Sequence, residues 1–85
     1  MFVWVINSDI VENGEGEAAS CGVYLSEKSA LEAFDRYKQS EIQPLLVEHG
    51  WFVFEESDYE LDVGDTGNYL YNHGRLLLQK LEVEE

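Results

Sequence analysis

The chain has 85 residues, with eighteen acidic side chains against five basic ones and a net charge of −13. Its length makes one domain, residues 1–85, and a 45% hydrophobic content with two Trp, four Phe and five Tyr excludes a disordered acidic tail. Charge of this sign works against compaction and repels nucleic acid and acidic lipid, so direct binding to either is excluded and the expected partners are basic surfaces.

Phe2–Ile6 is rich in β-branched and aromatic residues and reads as a buried strand. It lacks the basic flank and the length of a signal peptide, and no apolar run approaches the roughly 18 residues of a membrane span. Cys21 is the only cysteine, so no intramolecular disulfide is available, and it reads as a small buried hydrophobe. These features predict a cytoplasmic protein.

Residues 7–19 follow as a connection, with Asn13-Gly14 as a turn signal and Gly14-Glu15-Gly16-Glu17 as an exposed, mobile tip. Ser20–Leu25 reads as a second strand, antiparallel to the first. Ser26 is placed as an N-cap, and Ala30, Leu31, Phe34 and Tyr37 form one apolar stripe at helical spacing. On the opposite face Glu32 precedes Arg36 by four and Asp35 precedes Lys38 by three, so the basic residues of this helix build no positive patch.

Ser40 and Gln43 have capping-box spacing, and Pro44 follows. Either the proline kinks one long helix or a second short helix begins near residue 41. Ile42, Leu45, Leu46 and His49 keep helical spacing across it, and Gly50 is the expected stop. His49 is then placed to satisfy carbonyls at the helix end.

Trp51-Phe52-Val53-Phe54 opens a third strand. Beyond it Tyr59, Leu61 and Val63 alternate with Glu56, Asp58, Glu60 and Asp62, the period of one continuous strand. Gly64–Gly67 is a turn. Asn68–Tyr71 and Arg75–Val83 are expected to pair as a hairpin across Asn72-His73-Gly74, and the last three residues to fray. The predicted class is α+β: a small antiparallel sheet in the order β-β-α(α)-β-β-β, with one or two helices packed on one face. Its exposed edge, with the uncharged stretch Leu76-Leu77-Leu78, offers a route to a homodimer. Trp4, Tyr24, Trp51, Phe52 and Phe54 are expected in the core.

The candidate site is the acidic ladder Glu55, Glu56, Asp58, Glu60, Asp62 and Asp65. On one strand face, residues two apart lie roughly 6.8 Å from each other, a spacing comparable with that of successive phosphates on one strand. No Lys or Arg interrupts the sequence from Trp51 to Tyr71. The ladder reads either as a recognition surface or as a solvated strand face. Tyr59, Tyr69 and Tyr71 lie beside it and suit an interface, with a place on the core face as the alternative for Tyr59.

No metal is expected. Asp58-x-Glu60-x-Asp62 begins like a calcium loop, but Val63 stands at position six and Tyr69 at position twelve. No catalytic residues and no cofactor are expected either. His49 and His73 accompany no nucleophile motif, and Gly14-x-Gly16 is too short for a phosphate loop.

In size, charge, single-domain α+β character and the run Glu55-Glu56-Ser57-Asp58-Tyr59-Glu60-Leu61-Asp62, the chain resembles the small acidic inhibitors encoded by phages and mobile elements. These include anti-CRISPR proteins, uracil-DNA glycosylase inhibitor proteins and anti-restriction DNA mimics. The resemblance implies a non-enzymatic inhibitor. It would occupy the basic surface of a nucleic-acid-binding protein, such as a CRISPR effector or a DNA-processing enzyme, with carboxylates in the place of phosphates. The alternative is an immunity protein or adaptor that binds a basic protein such as a nuclease toxin.

Overall fold

The computed structural model describes residues 1–84 and, of Glu17, the backbone alone. Strands β1 (Phe2–Glu12) and β2 (Glu15–Tyr24) form a long hairpin. A helical segment follows, made of α1 (Glu27–Tyr37), a π-helical turn (Lys38–Ile42) and α2 (Gln43–His49). Strands β3 (Phe52–Glu56), β4 (Glu60–Gly64) and β5 (His73–Glu82) complete a five-stranded antiparallel sheet in the order β2-β1-β5-β4-β3. The predicted α+β class holds, with the helical segment on one face.

The first hairpin is longer and tighter than expected. Asn13 and Gly14 both have positive φ, 53° and 81°, which is what a two-residue turn between twisted strands requires. Residues 7–12 and 15–19 therefore pair, where a loop with a mobile tip was expected. The turn is tied down from outside: Gly14 N donates to Tyr71 O at 2.9 Å and Asn13 N donates to Asn72 Oδ1 at 3.0 Å. A Cβ on Gly14 would stand 2.8 Å from the Tyr71 ring, so glycine is needed there for both φ and space.

Ser26 caps α1, its Oγ accepting from Ser29 N at 3.2 Å. Ala30, Ala33 and Phe34 are buried, while Leu31 and Tyr37 pack half-buried at the margin of the stripe. The Ser40–Gln43 capping box does not form, because the chain is still helical there. Pro44 has no N–H to donate and its ring would strike the carbonyl four residues back in a regular helix. The preceding turn widens instead, with Gln43 N bonded to Lys38 O, and Pro44 falls in the first turn of α2. Ile42 and Leu45 consequently stay on the buried side. Gly50 ends the segment in the left-handed region at φ 65°, its N–H on Leu46 O at 3.0 Å.

The last strand corrects the reading most. Residues 68–72 form a turn that closes on itself, and β5 pairs with β1 on one side and β4 on the other. His73 begins that strand, outside any hairpin turn, with its Nδ1 2.7 Å from Tyr69 O. Leu76 and Leu78 are thus central and buried, packed with Ile6, Leu61 and Val63 under Phe34 and Ile42. They are not at an edge, where the stretch Leu76-Leu77-Leu78 was expected. Trp51 is buried and Trp4 and Tyr24 are half-buried, but Phe52 and Phe54 are exposed, against expectation. Cys21 is half-buried, a free thiol beside the core. Of the residues expected to fray, Val83 and Glu84 lie outside any strand and Glu85 lies outside the described residues.

Phe34 is fully buried at the centre of the helix–sheet contact. Phe34→Ala should lower stability by about 3–5 kcal/mol. In urea denaturation this should move the midpoint far toward lower urea, since a domain of this size has only about 5–15 kcal/mol to lose. Val47→Ala, on an exposed helix position, should leave the midpoint unchanged within error.

Candidate partner-binding surface

The acidic ladder does not lie on one strand. Ser57 breaks it: its Oγ accepts from Tyr59 N at 3.2 Å and Glu60 N at 3.1 Å, and its own N–H donates to Glu60 O at 2.8 Å. These bonds turn the chain, so Glu55 and Glu56 sit on β3, Asp58 on the turn, and Glu60 and Asp62 on β4. The hydroxyl of a serine commonly makes such a local turn, and here it outcompetes strand continuation. The carboxylates stay together as a hairpin, with Glu55 directly across from Asp62.

That hairpin meets a cation the sequence placed elsewhere. Asp62 pairs across the sheet with Arg75 on β5, and Arg75 in turn with Asp9 on β1. Directly paired residues share one side of the sheet, so Glu55, Asp62, Arg75 and Asp9 form a cross-strand row on the side away from the helices. Arg75 also donates from Nη2 and Nε to Glu60 Oε1, at 2.7 and 3.1 Å. Its bond to Glu60 and the charges around it push its pKa further up. Glu60 and Asp62 are thereby partly neutralised, whereas Glu55, Glu56 and Asp58 face solvent.

The three tyrosines separate. Tyr59 lies in the turn, on the helix side. Its ring stacks on Trp4 at 6.2 Å and its hydroxyl donates to Glu27 Oε1 at 2.8 Å, which raises its pKa. Tyr69 covers Gly64, touches Phe54 edge-on at 5.5 Å, stacks on His73 at 4.8 Å and donates to Asp62 Oδ1 at 2.6 Å. Tyr71 packs over the β1–β2 turn. Asp65 caps its own loop, Oδ1 accepting from Gly67 N at 2.9 Å. Asp65 and Tyr71 lie beyond the far end of β4, about 17 Å from the Asp58 turn by strand rise, and are not part of the same patch.

A second acidic region was not foreseen. The projecting β1–β2 hairpin and the π-helical turn enclose an open groove of about 490 Å³, lined by Ser8, Ile10, Glu12, Glu15, Ala19 and Glu41. The alternation Ser8, Ile10, Glu12 was its visible signal in sequence. His49 lies beside Glu12, its Nε2 3.1 Å from Glu12 Oε2 and its ring stacked on Trp51 at 4.9 Å, so it serves a carboxylate and an aromatic instead of the helix-end carbonyls. Among the described residues, no three His, Cys, Asp or Glu side chains converge as metal ligands.

The remaining basic groups are partly absorbed by the protein itself. Lys38 Nζ donates to Ser57 O at 3.2 Å and lies over the Phe34 ring, and Lys80 lies over Phe2 and Trp4. The surface field is therefore anionic. Among the described residues no helix is long and apolar enough to cross a membrane. Compared with protein-family models, with curated proteins and with solved structures, the chain matches none.

Burial first, and then the bond to Asp62, push the Tyr69 phenol from 10.0 up to about 12. Because the folded value lies above the unfolded one, the stability this group contributes is whole below about pH 10 and is lost as pH rises through about 12. Ultraviolet titration should show one phenol ionising last, at about pH 12. Tyr69→Phe should remove that step and leave the steps of the other tyrosines in place.

Proposed function

We propose that this chain is a non-enzymatic inhibitor that binds the basic, nucleic-acid-binding surface of another protein, its carboxylates standing in for phosphates. Linear charge density carries the reading. The body is 45 Å long and only 20 by 17 Å across. Spread over that length, the net charge of −13 amounts to one charge per roughly 3.5 Å, close to the about 3.4 Å of helix axis per phosphate of one strand of B-DNA and about half the density of the duplex.

The backbone that carries the anionic groups is also ordered. Glu55, Glu56 and Asp58 project from a hairpin held by the Ser57 bonds, and Glu12, Glu15 and Glu41 line a groove braced by a tight turn. A backbone already held in place needs little reordering on binding, which favours affinity at a given charge. Long-range attraction speeds encounter with a cationic cleft. A CRISPR effector or a DNA-processing enzyme presents such a cleft, and the reading places the protein in the cytoplasm with it.

The test is capture of partners on the immobilised chain, followed by elution with a DNA or RNA oligonucleotide. A captured nucleic-acid-binding protein should be displaced by the oligonucleotide, and its affinity should fall at least about tenfold between about 50 and 500 mM salt. Glu55→Lys, Glu56→Lys and Asp58→Lys together should abolish capture while leaving the circular dichroism spectrum unchanged. Binding that resists both salt and the triple charge reversal would contradict phosphate mimicry. Capture of one small basic toxin that nucleic acid does not displace would point to an immunity protein instead.

A further inference from the structure

Strand β3 closes one edge of the sheet. Its inner side is paired with β4. Among the described residues, no turn, cap or loop backbone bond engages residues 52–56 from the other side. Edge strands of natural proteins are usually blunted by lysine, proline or a covering element. This one has neither residue type, and its first three side chains are apolar and open to water: Phe52 is 59% exposed, Val53 46% and Phe54 47%. Its last two residues, Glu55 and Glu56, are exposed carboxylates, with Asp58 next to them on the turn.

We infer that β3 accepts an extended segment of a basic partner as an added strand, its apolar side chains against Phe52–Phe54 and its Lys or Arg side chains beside Glu55, Glu56 and Asp58. Main-chain hydrogen bonds would supply register and the alternating side chains specificity, as in other strand-addition complexes. The inference rests on the basic-partner reading above and names where and how that partner is gripped.

Charge selects the occupant. A second copy would bring another body of net charge −13. Antiparallel pairing of two β3 strands about Phe54 would set Glu56 against Phe52 and Glu55 against Val53, leaving all four carboxylates without a cation. A segment that mixes apolar and basic residues satisfies both halves of the strand. The irregularity between Val53 and Glu55 and the length of five residues keep the edge short, which suits one added strand better than an open-ended stack.

The experiment titrates the full chain with synthetic peptides of about eight residues, a typical strand length. One alternates valine with lysine and one serine with lysine. Two further versions of the valine–lysine peptide are N-methylated at every second residue, in the two possible registers. The valine–lysine peptide should bind at least about tenfold tighter than the serine–lysine peptide. At least one N-methylated register, and the Phe52→Ser variant, should each erase that gain. Equal affinity for the two parent peptides, or full affinity for both N-methylated ones, overturns strand addition while leaving the anionic reading intact. Failure of both lysine peptides to bind at low salt overturns the basic-partner reading itself. Sedimentation as a dimer that Phe52→Ser dissociates overturns the choice of occupant.

Discussion

Insertion of β5 between β1 and β4 is the constraint on which the remaining structure depends. The strand nearest the C-terminus is the central one, and it joins two hairpins that otherwise share no strand pairing. Leu76 and Leu78 place their side chains in the layer that Ile6, Leu61, Val63, Phe34 and Ile42 complete. Each such fully buried side chain is worth about 1.5–3 kcal/mol relative to water. The partners come from every part of the chain, so the core forms only when the long-range closure is made, and both acidic hairpins are rigid only after it.

This core must offset a large electrostatic cost. Among the described residues one ion pair is formed by a permanently charged base, Arg75 with Glu60, His49 lies 3.1 Å from a Glu12 oxygen, and no charged side chain is buried. The protein keeps its carboxylates in water, where repulsion is screened, and packs an entirely apolar interior. Arg75 relieves the densest point, where Glu60, Asp62 and Asp9 meet around it. Carboxylates outside any ion pair, Glu55, Glu56 and Asp58 about the β3–β4 turn, where Lys38 reaches only the Ser57 carbonyl, and Glu15 and Glu41 in the β1–β2 groove, then provide the field that a cationic protein would meet. Next to that field, the aromatic start of β3 adds an apolar contact that charge alone would not supply.

The proline illustrates how local and global demands are reconciled. A regular helix through residue 44 would clash, and a break would swing α2 away from the sheet. Widening one turn to the π form adds the slack that keeps Phe34, Ile42 and Leu45 on one side. The helical segment can thus pack on one face of the sheet and leave the other face and the β3 edge open.

Local chemistry in the sequence was sufficient for the α1 N-cap at Ser26, the apolar stripe through Ala30 and Phe34, the stop at Gly50, the turn at Asn13-Gly14 and the α+β class, because each depends on neighbours a few residues away. The anionic balance was equally plain, being a property of composition. Tertiary structure alone decided that Ser57 turns the acidic run back on itself, because the serine bonds and continued strand alternation are both locally allowed and only pairing of Leu61 with Leu76 on β5 selects between them. It also decided that Arg75 sits among Asp62, Glu60 and Asp9, that Leu76 and Leu78 are central, and that Phe52 and Phe54 stay in water. Those outcomes follow from strand order, and strand order is set by which distant apolar faces can be buried together, a choice that no short window of residues contains.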